Sequence, residues 1–413
     1  MDLQYLASFG DHVPLSQFKP DDTIGALSFS SDGTFLASGD NAGRVVIFRL
    51  NKPTTSNGRY SVSFVTQVHA HKACFDYFRS ELAEMKINAL QWLPTNTLNP
   101  KLLTCNSHEV KLWALFANPK ITWSPFNPSI PIDQFIAPVP RQKDTKYSSE
   151  CLKTFTDVQT EYIVDLQTLS DQRSFLIVDV SCVKLWDVER SVPSVSLFEV
   201  SQQQPELVAS ATSPFLPSNI VVGDDGGLIR VLDTRTAAED VSCAIEFDVR
   251  SSIPKDRCLD GCESIGSLAF TPDGSAVVAR TFGEAQVWDL RFLNPKNNAI
   301  AKNKPLSSIQ TQWFPGQMEW LSSDDYVKDP FKTSITPSGK IITGLYSADF
   351  LTWDYKHGKT GRHRAVSART PRPPAEPGRD FTKRVTCCAA HPTQEIVAVV
   401  STAALFLFNE KPQ

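Results

Sequence analysis

The stretch Val183-Lys184-Leu185-Trp186-Asp187 decides the fold, because close variants of it recur along the chain. It is rich in branched and aromatic residues and too short for a helix, which is typical of a buried strand. About seven copies stand at intervals of roughly 45 to 75 residues, a spacing that predicts the blades of a propeller. The copies are residues 45–48 (VVIF), 110–113 (VKLW), 183–187 (VKLWD), 229–233 (IRVLD), 285–289 (AQVWD), 350–354 (FLTWD) and 404–408 (ALFLF).

A second unit precedes most copies by about 15 to 20 residues and predicts a hairpin. In residues 267–278, apolar and polar residues alternate before and after the turn Pro272-Asp273-Gly274. Gly supplies a positive φ in such a turn, and Asp folds its side chain onto the backbone. Residues 26–39 and 334–344 follow the same plan, so each repeated strand is expected to extend a hairpin into a small sheet.

The two ends of the chain are expected to complete one blade together. Residues 4–9 form a strand ahead of the first blade, and the last blade, which ends at Phe408, lacks a strand. Pairing them would close the ring and remove exposed strand edges. The sequence therefore predicts a single all-β domain over residues 1–413, a seven-bladed β-propeller closed by the N-terminal strand. Four tryptophans are expected to be buried between blades: Trp113, Trp186, Trp288 and Trp353.

Composition indicates a soluble protein and gives no sign of a specialised partner. Hydrophobic residues make up 41% of the 413 residues and charged residues 21%, with a net charge of -4, which favours neither nucleic acid nor a membrane surface. Nine Cys lack metal-type spacing, and no stretch approaches 18 apolar residues. We expect no cofactor, no metal and no membrane, and a cytoplasmic location, with the nucleus as the alternative.

Motifs for catalysis are missing from the sequence. Residues 223–227 are glycine-rich but lie between two strands, so their glycines are interpreted as turn residues. No nucleophile elbow, paired-His zinc motif or kinase signature is present, and His69 and His71 lack a third ligand. The carboxylates that end the repeated strands are interpreted as turn caps: Asp187, Asp233, Asp289 and Asp354. We therefore expect a protein that is not an enzyme.

Three segments depart from the blade pattern. Residues 69–84 mix aromatic and charged residues at near-helical spacing and are interpreted as an insertion. Residues 115–140 are Pro-rich and predict an arm that leaves blade two near its end, because long loops in compact domains are usually functional or disordered. Residues 356–384 are basic and Pro-rich and are interpreted as a solvated loop. The arm carries three aromatic residues suited to docking: Trp123, Phe126 and Phe135.

Several stretches resemble the B-type WD-repeat regulatory subunit of protein phosphatase 2A. The most specific are residues 39–48 (GDNAGRVVIF), the insertion Phe75-Asp76-Tyr77, and Lys86-Ile87-Asn88 followed by Trp92-Leu93-Pro94. The likeness extends over essentially the whole chain. It implies a propeller that holds phosphoprotein substrates near a separate catalytic subunit. A hairpin arm from blade two of such a propeller grips a helical-repeat scaffold subunit.

The resemblance also implies where substrates bind. The acidic contacts of the family fall on or near Asp179 and Asp325, and its apolar contacts leave only Leu207 nearby. Asp324 and Lys328 flank Asp325 in the same acidic stretch and complete the expected site. The chain departs from the family at Val180, where a second acid is usual, and at the polar residues 201–205.

The function expected from these residues is that of a non-catalytic regulatory subunit of protein phosphatase 2A that recruits substrates. A generic WD-repeat interaction scaffold in an unrelated complex is the main alternative. A propeller hydrolase would need a nucleophile and a base at the central channel. A nucleic-acid adaptor would work through the basic residues 356–384 and show binding that falls steeply with salt.

Overall fold

The computed structural model describes residues 3–11, 19–53, 59–76, 80–94, 99–123, 140–157, 160–190, 192–193, 195–200, 204–216, 218–235, 245–252, 262–293, 304–311, 329–366 and 383–410. These residues form seven four-stranded antiparallel sheets and one separate two-stranded hairpin. The seven sheets are the blades of a β-propeller. The fold class read from the sequence is therefore confirmed.

The first strand of the chain, β1 (Leu3–Phe9), belongs to the last blade. Blade one contains β2 (Ile24–Phe29), β3 (Phe35–Asp40), β4 (Arg44–Asn51) and β5 (Ser61–His69). The separate hairpin contains β6 (Cys74–Asp76) and β7 (Glu81–Ala83). Blade two contains β8 (Ala89–Trp92), β9 (Lys101–Cys105), β10 (Val110–Trp123) and β11 (Pro140–Phe155). Blade three contains β12 (Ile163–Thr168), β13 (Ser174–Asp179), β14 (Cys182–Asp187) and β15 (Val195–Glu199).

The second half of the chain repeats this arrangement. Blade four contains β16 (Leu207–Thr212), β17 (Asn219–Asp224), β18 (Leu228–Asp233) and β19 (Ile245–Asp248). Blade five contains β20 (Ser267–Phe270), β21 (Ala276–Arg280), β22 (Glu284–Asp289) and β23 (Ser307–Gln310). Blade six contains β24 (Thr333–Ile335), β25 (Ile341–Gly344), β26 (Asp349–Asp354) and β27 (Lys359–Arg364). Blade seven contains β28 (Val385–Ala390), β29 (Ile396–Ser401) and β30 (Ala404–Glu410) together with β1. Short 3-10 turns lie at Pro20–Asp22, Val249–Ser252 and Leu290–Phe292.

The innermost strands close the ring around the central axis. Each contacts the innermost strand of the next blade, and β28 contacts β2. Polar side chains join them: the Ser267 hydroxyl accepts from the Thr333 N–H at 2.9 Å, and the Ser334 hydroxyl accepts from the Ala390 N–H at 2.8 Å. These bonds satisfy backbone groups that face the next blade, where water is scarce.

Closure of the ring occurs in blade seven, as the sequence predicts. β1 pairs antiparallel with β30, from Leu3 opposite Glu410 to Phe9 opposite Leu405. Strands from the two ends of the chain therefore share one sheet, and no blade is left incomplete among the residues that the structure describes.

The core lies between neighbouring blades rather than in one centre. Trp186 is fully buried against Phe155 of blade two, and Trp288 lies 4.9 Å from the Phe247 ring of blade four. Trp353 is also buried. Trp113 differs from the prediction, because it is only half-buried and packs against the hydrophobic cluster that blades one and two share.

The insertion at residues 69–84 is not helical. β6 and β7 pair as a hairpin, with Phe75 opposite Leu82, and Ser80 takes a positive φ of 55° in the connection. The near-helical spacing of the aromatics was therefore misleading, because Phe75 lies in a strand of three residues, too short for periodicity to distinguish strand from helix.

The outer strand of blade two follows the segment that was predicted to be an arm. β11 runs from Pro140 to Phe155, so it begins where the predicted arm ends. β9 pairs with β10 only as far as Ala114, and beyond that point β10 and β11 pair with each other alone, up to Trp123 opposite Pro140. Blade two therefore continues into a two-stranded extension over residues 115–123 and 140–149.

The basic segment is not a loop throughout. Residues 359–364 form β27, the outer strand of blade six. From Thr360 on, exposed and half-buried residues alternate along this strand, and the Arg362 guanidinium pairs with the Asp349 carboxylate at 2.7 Å. Residues 367–382 lie outside the described residues. No helix in the described part of the chain is long and apolar enough to cross a membrane.

Candidate functional site

The antiparallel blades divide the loops of the ring between two faces. The turns from first to second strand and from third to fourth strand lie on one face, which we call the hairpin face because the extension of blade two projects there. The turns from second to third strand and the connections between blades lie on the other, which we call the loop face. The β6–β7 hairpin and the turns at 179–182 and 224–228 belong to the loop face.

Backbone hydrogen bonds hold the loop face in place. In six of the seven blades, a residue at the start of the innermost strand donates its N–H to the turn between the second and third strands of the preceding blade. Leu207 donates to the Val180 carbonyl at 2.9 Å, Ile265 to Asp224 at 3.3 Å, and Ile87 to Asp40 at 3.1 Å. This repeated bond gives the loops of the face a fixed relative position.

Asp179 is a structural residue of this face. Its side chain is 1% exposed and accepts hydrogen bonds from the Ser181 N–H at 2.8 Å, the Ser181 hydroxyl at 3.0 Å and the Cys182 N–H at 2.5 Å. The carboxylate closes the turn between β13 and β14. Its predicted substrate contact is not supported by this geometry, because the carboxylate faces its own turn.

Asp224 occupies the same place in blade four. It accepts from the Leu228 N–H and from the Arg230 guanidinium, both at 2.8 Å. Burial raises the pKa of this carboxyl group in spite of those bonds. Leu207 is likewise buried, in the core between blades three and four. Its side chain does not reach the surface, so this geometry does not support its predicted substrate contact either.

Of the remaining predicted site residues, only Trp123 belongs to the described part of the chain. Trp123 is the last residue of β10, and its backbone pairs with Pro140. Phe126 and Phe135 lie outside the described residues, as do the acidic-stretch residues Asp324, Asp325 and Lys328.

An acidic surface that the sequence interpretation missed lies on the loop face over blades three to five. Glu199 and Glu206 are exposed and Asp225 and Glu263 are half-buried, and we call these four residues the acidic arc. Glu206 and Asp225 are neighbours, because the Asp225 N–H donates to the Glu206 carbonyl at 2.9 Å. The signal was present in the sequence: Asp225 is a second acid directly after the buried turn acid Asp224.

Three described cations in the same blades are paired with carboxylates. Lys184 is buried and pairs with Asp157 at 2.6 Å, and Arg230 is buried and pairs with Asp224. Arg250 is exposed but pairs with Asp248 at 2.7 Å. Among the residues that the structure describes here, the carboxylates of the acidic arc are partly or fully exposed while these three basic groups are paired, which favours a negative potential.

His71 joins blades one and two on this face. It is buried, its Nδ1 lies 3.1 Å from Glu109 and its Nε2 lies 3.0 Å from the Thr104 hydroxyl. Lys111 pairs with the same Glu109 at 2.6 Å. Burial would raise the pKa of Glu109, but the hydrogen bonds from His71 and Lys111 outweigh it, so this pKa is lowered. Both imidazole nitrogens are therefore engaged in a structural network.

The buried thiols are poor candidates for chemistry. Burial raises the pKa of Cys105 and of Cys182 to about 12, and for Cys182 the charge of Asp179 adds to the effect. A thiol with such a pKa stays protonated at neutral pH and is a weak nucleophile. No group of three or more His, Cys, Asp or Glu among the described residues is arranged to hold a metal ion.

Comparisons with known proteins agree with this architecture. The WD domain, G-beta repeat family matches residues 12–49. The chain is 26% identical, over an alignment of 430 residues that covers 94% of each chain, to the beta isoform of the 55 kDa B-type regulatory subunit of serine/threonine-protein phosphatase 2A from Sus scrofa. The resemblance recognised from the sequence is thus confirmed over nearly the whole chain. The β-propeller domain of Cps50 (Swd1) from Myceliophteria thermophila is similar in fold, with a TM-score of 0.57 at 13% identity over 94% of this chain and 97% of that one.

Proposed function

From the likeness to a phosphatase 2A regulatory subunit along nearly the whole chain, we propose that this protein is a WD-repeat regulatory subunit of protein phosphatase 2A. In this role it is non-catalytic, binds the helical-repeat scaffold subunit beside the catalytic subunit, and recruits phosphoprotein substrates. The observation that carries the proposal is the coverage of 94% of both chains, which leaves out fewer residues than a single blade contains.

Recovery of partners from cells tests this role directly. Affinity purification of the tagged chain followed by mass spectrometry should recover a phosphatase 2A scaffold and catalytic subunit in similar amounts. Recovery of an unrelated complex without either subunit would instead favour a generic WD-repeat scaffold.

Scaffold binding is assigned to the extension of blade two, including Trp123, Phe126 and Phe135. Support comes from the pairing of β10 with β11 beyond the end of β9, which makes residues 115–123 and 140–149 a two-stranded extension of the blade. Aromatic side chains dominate the binding energy of many interfaces.

The test shortens the hairpin without disturbing the blade. Ile121 pairs with Gln142, so replacing residues 122–141 with Asn-Gly leaves a two-residue turn of favoured type. We expect this variant to fold and to lose binding to the purified scaffold subunit. A triple variant, Trp123→Ala, Phe126→Ala and Phe135→Ala, keeps the length and tests the aromatics alone. Undiminished binding of the shortened variant would remove the assignment.

Substrate recruitment is assigned to the loop face. The acidic arc supports a preference for substrate segments that carry Lys and Arg, because complementary charge raises encounter rates in a salt-dependent way. Asp324, Asp325 and Lys328 belong to the same proposed site through the connection between blades five and six.

Charge reversal tests this assignment. Glu206→Lys with Asp225→Lys should lower kcat/KM of the assembled phosphatase for a basic phosphoprotein about 10-fold at low salt. Activity towards a small phosphate ester should not change. Glu189→Lys, an exposed acid on the hairpin face, is the matched control. Equal loss in the control, or no loss in the double variant, would rule out the acidic arc as the docking site, and Asp325→Lys tests the neighbouring loop in the same assay.

A further inference from the structure

The outer strand of blade six, β27, differs in charge from the outer strands of the other blades. It carries Lys359, Arg362 and Arg364, with no acidic residue and no large apolar one. β1, β5 and β23 carry no Lys, Arg, Asp or Glu, β15 and β19 carry only acidic charges, and β11 carries both signs. Among the seven outer strands that the structure describes, β27 is therefore the one whose charges are all positive.

The edge of β27 that faces away from the blade is ordered and open. All six residues of the strand pair with β26, and among the described residues no strand pairs with the other edge. The His363 ring lies 5.4 Å from the Phe350 ring, and its Nε2 lies 3.1 Å from the Thr352 hydroxyl, which fixes β27 on the sheet. The backbone N–H and C=O groups of the open edge are therefore in position to pair with another strand.

Two arginines on this strand share one carboxylate. Arg362 and Arg364 are two residues apart, so they lie on the same face of β27. Arg362 Nη2 lies 2.7 Å from Asp349 Oδ2, and Arg364 Nε lies 3.8 Å from Asp349 Oδ1. Their side chains are 63% and 40% exposed. One negative charge thus faces two positive ones, and guanidinium groups that remain exposed can bind further carboxylates bidentately.

Charge decides which kind of strand the open edge can accept. A second copy of β27 would place like charges beside each other, which disfavours pairing between copies of this chain. A strand with Asp or Glu at alternate positions would present its carboxylates to the two arginines. We propose that the open edge of β27 binds an acidic, extended segment of a partner protein as a fifth strand of blade six. Main-chain hydrogen bonds hold such a segment, and Arg362 and Arg364 select its acidic side chains.

This site goes beyond the proposed function. It lies on the outer rim of the ring, because β27 is the outermost strand of its blade. It is distinct from the blade-two extension and from the acidic arc, and it takes a ligand of the opposite charge to the substrate segments assigned to the arc. Its test therefore needs neither the scaffold nor the catalytic subunit.

The experiment measures binding of the full-length chain to a fluorescein-labelled peptide in which Glu-Thr is repeated four times. Arg362→Gln with Arg364→Gln should weaken binding, measured by fluorescence anisotropy, by about 10-fold or more at low salt. The melting temperature should change little, because exposed ion pairs contribute little to stability. Arg173→Gln with Arg235→Gln is the matched control, since it removes two exposed arginines that pair with aspartates in other blades.

A second peptide tests whether the ligand pairs as a strand. It has the sequence Glu-Thr-Glu-Pro-Pro-Glu-Thr-Glu, which keeps four Glu but removes two adjacent N–H donors, so one missing donor faces β27 in either register. We expect it to bind about 10-fold or more weakly than the first peptide, since a missing ladder bond and the fixed φ of Pro both oppose pairing. Hydrogen exchange at residues 359–364 should slow when the first peptide is added, and not when the second is added.

Each contrary result overturns the inference. Failure of the wild-type chain to bind the first peptide, or undiminished binding by Arg362→Gln with Arg364→Gln, would remove the site. An equal loss in the control variant, or equal binding of the two peptides without protection of residues 359–364, would reduce it to general charge attraction. Tighter binding of oligouridine than of the first peptide, lost in the same double variant, would make the edge a nucleic-acid surface instead. None of these results bears on the proposed function, which is tested by recovery of the phosphatase subunits.

Discussion

Among the glycines in the described part of the chain, Gly344 is the one whose neighbouring backbone leaves least room for a Cβ. It ends β25 at the junction of blades six and seven, and a Cβ added there would lie 1.7 Å from the Val385 carbonyl oxygen. That oxygen belongs to the first residue of β28, so relief would require moving one blade against the next.

Gly344→Ala should therefore destabilise the protein by roughly 3 kcal/mol, the upper part of the usual range for overpacking. Urea unfolding measures the effect. Gly25→Ala is the control, because the nearest atom to its added Cβ is the Ile87 carbonyl oxygen at 3.7 Å. Equal stability of the two variants would show that the blades at this junction move apart easily.

Glu109 gives a stability contribution that depends on pH. Its folded-state pKa is lowered from an ordinary value of 4.5, so the unfolded chain binds more protons in the acid range and stability rises with pH there. The contribution is complete above the unfolded pKa and is lost as the pH falls through the lower folded one.

Glu109→Gln should accordingly cost about 1 kcal/mol at pH 7, and the difference from wild type should shrink below about pH 4.5. Denaturant unfolding at several pH values between about 3 and 7 checks this. A difference that stays constant through the acid range would mean that the charge of Glu109 does not matter to the network.

Individual site residues were the least predictable part of the molecule. The strand that ends at Asp179 could be predicted from alternation and turn chemistry, but whether its carboxylate faces outward depends on the turn at 179–182, which draws it inward. Leu207 illustrates the same limit, since an apolar residue beside a polar loop fits both a surface contact and a core position. The acidic arc, by contrast, depends on which charges are paired. Pairs such as Lys184 with Asp157 join residues that are far apart in the sequence, so they follow from the three-dimensional arrangement.

At the scale of elements, β1 is the strand on which closure depends. It covers β30, whose other edge pairs with β29. Removing residues 3–9 would expose β30 as an uncovered edge and uncover apolar residues such as Phe408, which packs against Tyr5.

We expect deletion of residues 3–9 to lower the melting temperature by at least several degrees and to cause concentration-dependent association, because an open edge of this kind templates pairing with other chains. Light scattering at two concentrations and thermal unfolding measure both effects. A monomeric variant with wild-type stability would show that the ring is held by the inner strands alone.

Elements were predicted well where local signals agree, and badly where they conflict. The first three strands of most blades combine alternation with a Gly-containing turn, and both signals indicate a hairpin. The outer strands are less regular, since one side faces solvent: β27 reads as a charged loop and β11 as a segment without pattern. β6 and β7 are only three residues each, too short for periodicity to distinguish strand from helix.

At the scale of the whole molecule, the two proposed binding regions lie on opposite faces of the ring. The blade-two extension occupies the hairpin face, and the acidic arc occupies the loop face. A ring whose blades are joined by backbone bonds between turns transmits little from one face to the other by local rearrangement.

The two activities should therefore be separable. The shortened hairpin variant should still bind a basic phosphopeptide with wild-type affinity in the absence of other subunits, and Glu206→Lys with Asp225→Lys should still assemble with the scaffold. Fluorescence anisotropy and pull-down measure the two bindings independently. Loss of both in either variant would point to a shared surface or to a damaged ring.

The shared sheet of blade seven also has a consequence in time. Leu3 pairs with Glu410 in the folded protein. The partner strand of β1 is therefore synthesised about 400 residues after β1, which takes roughly 20 to 80 s at ordinary rates of synthesis. Blades one to six have all their strands before then, whereas β1 stays without its partner strand until β30 is made. Newly made chains should for that reason be clients of chaperones until β30 has been made and pairs with β1.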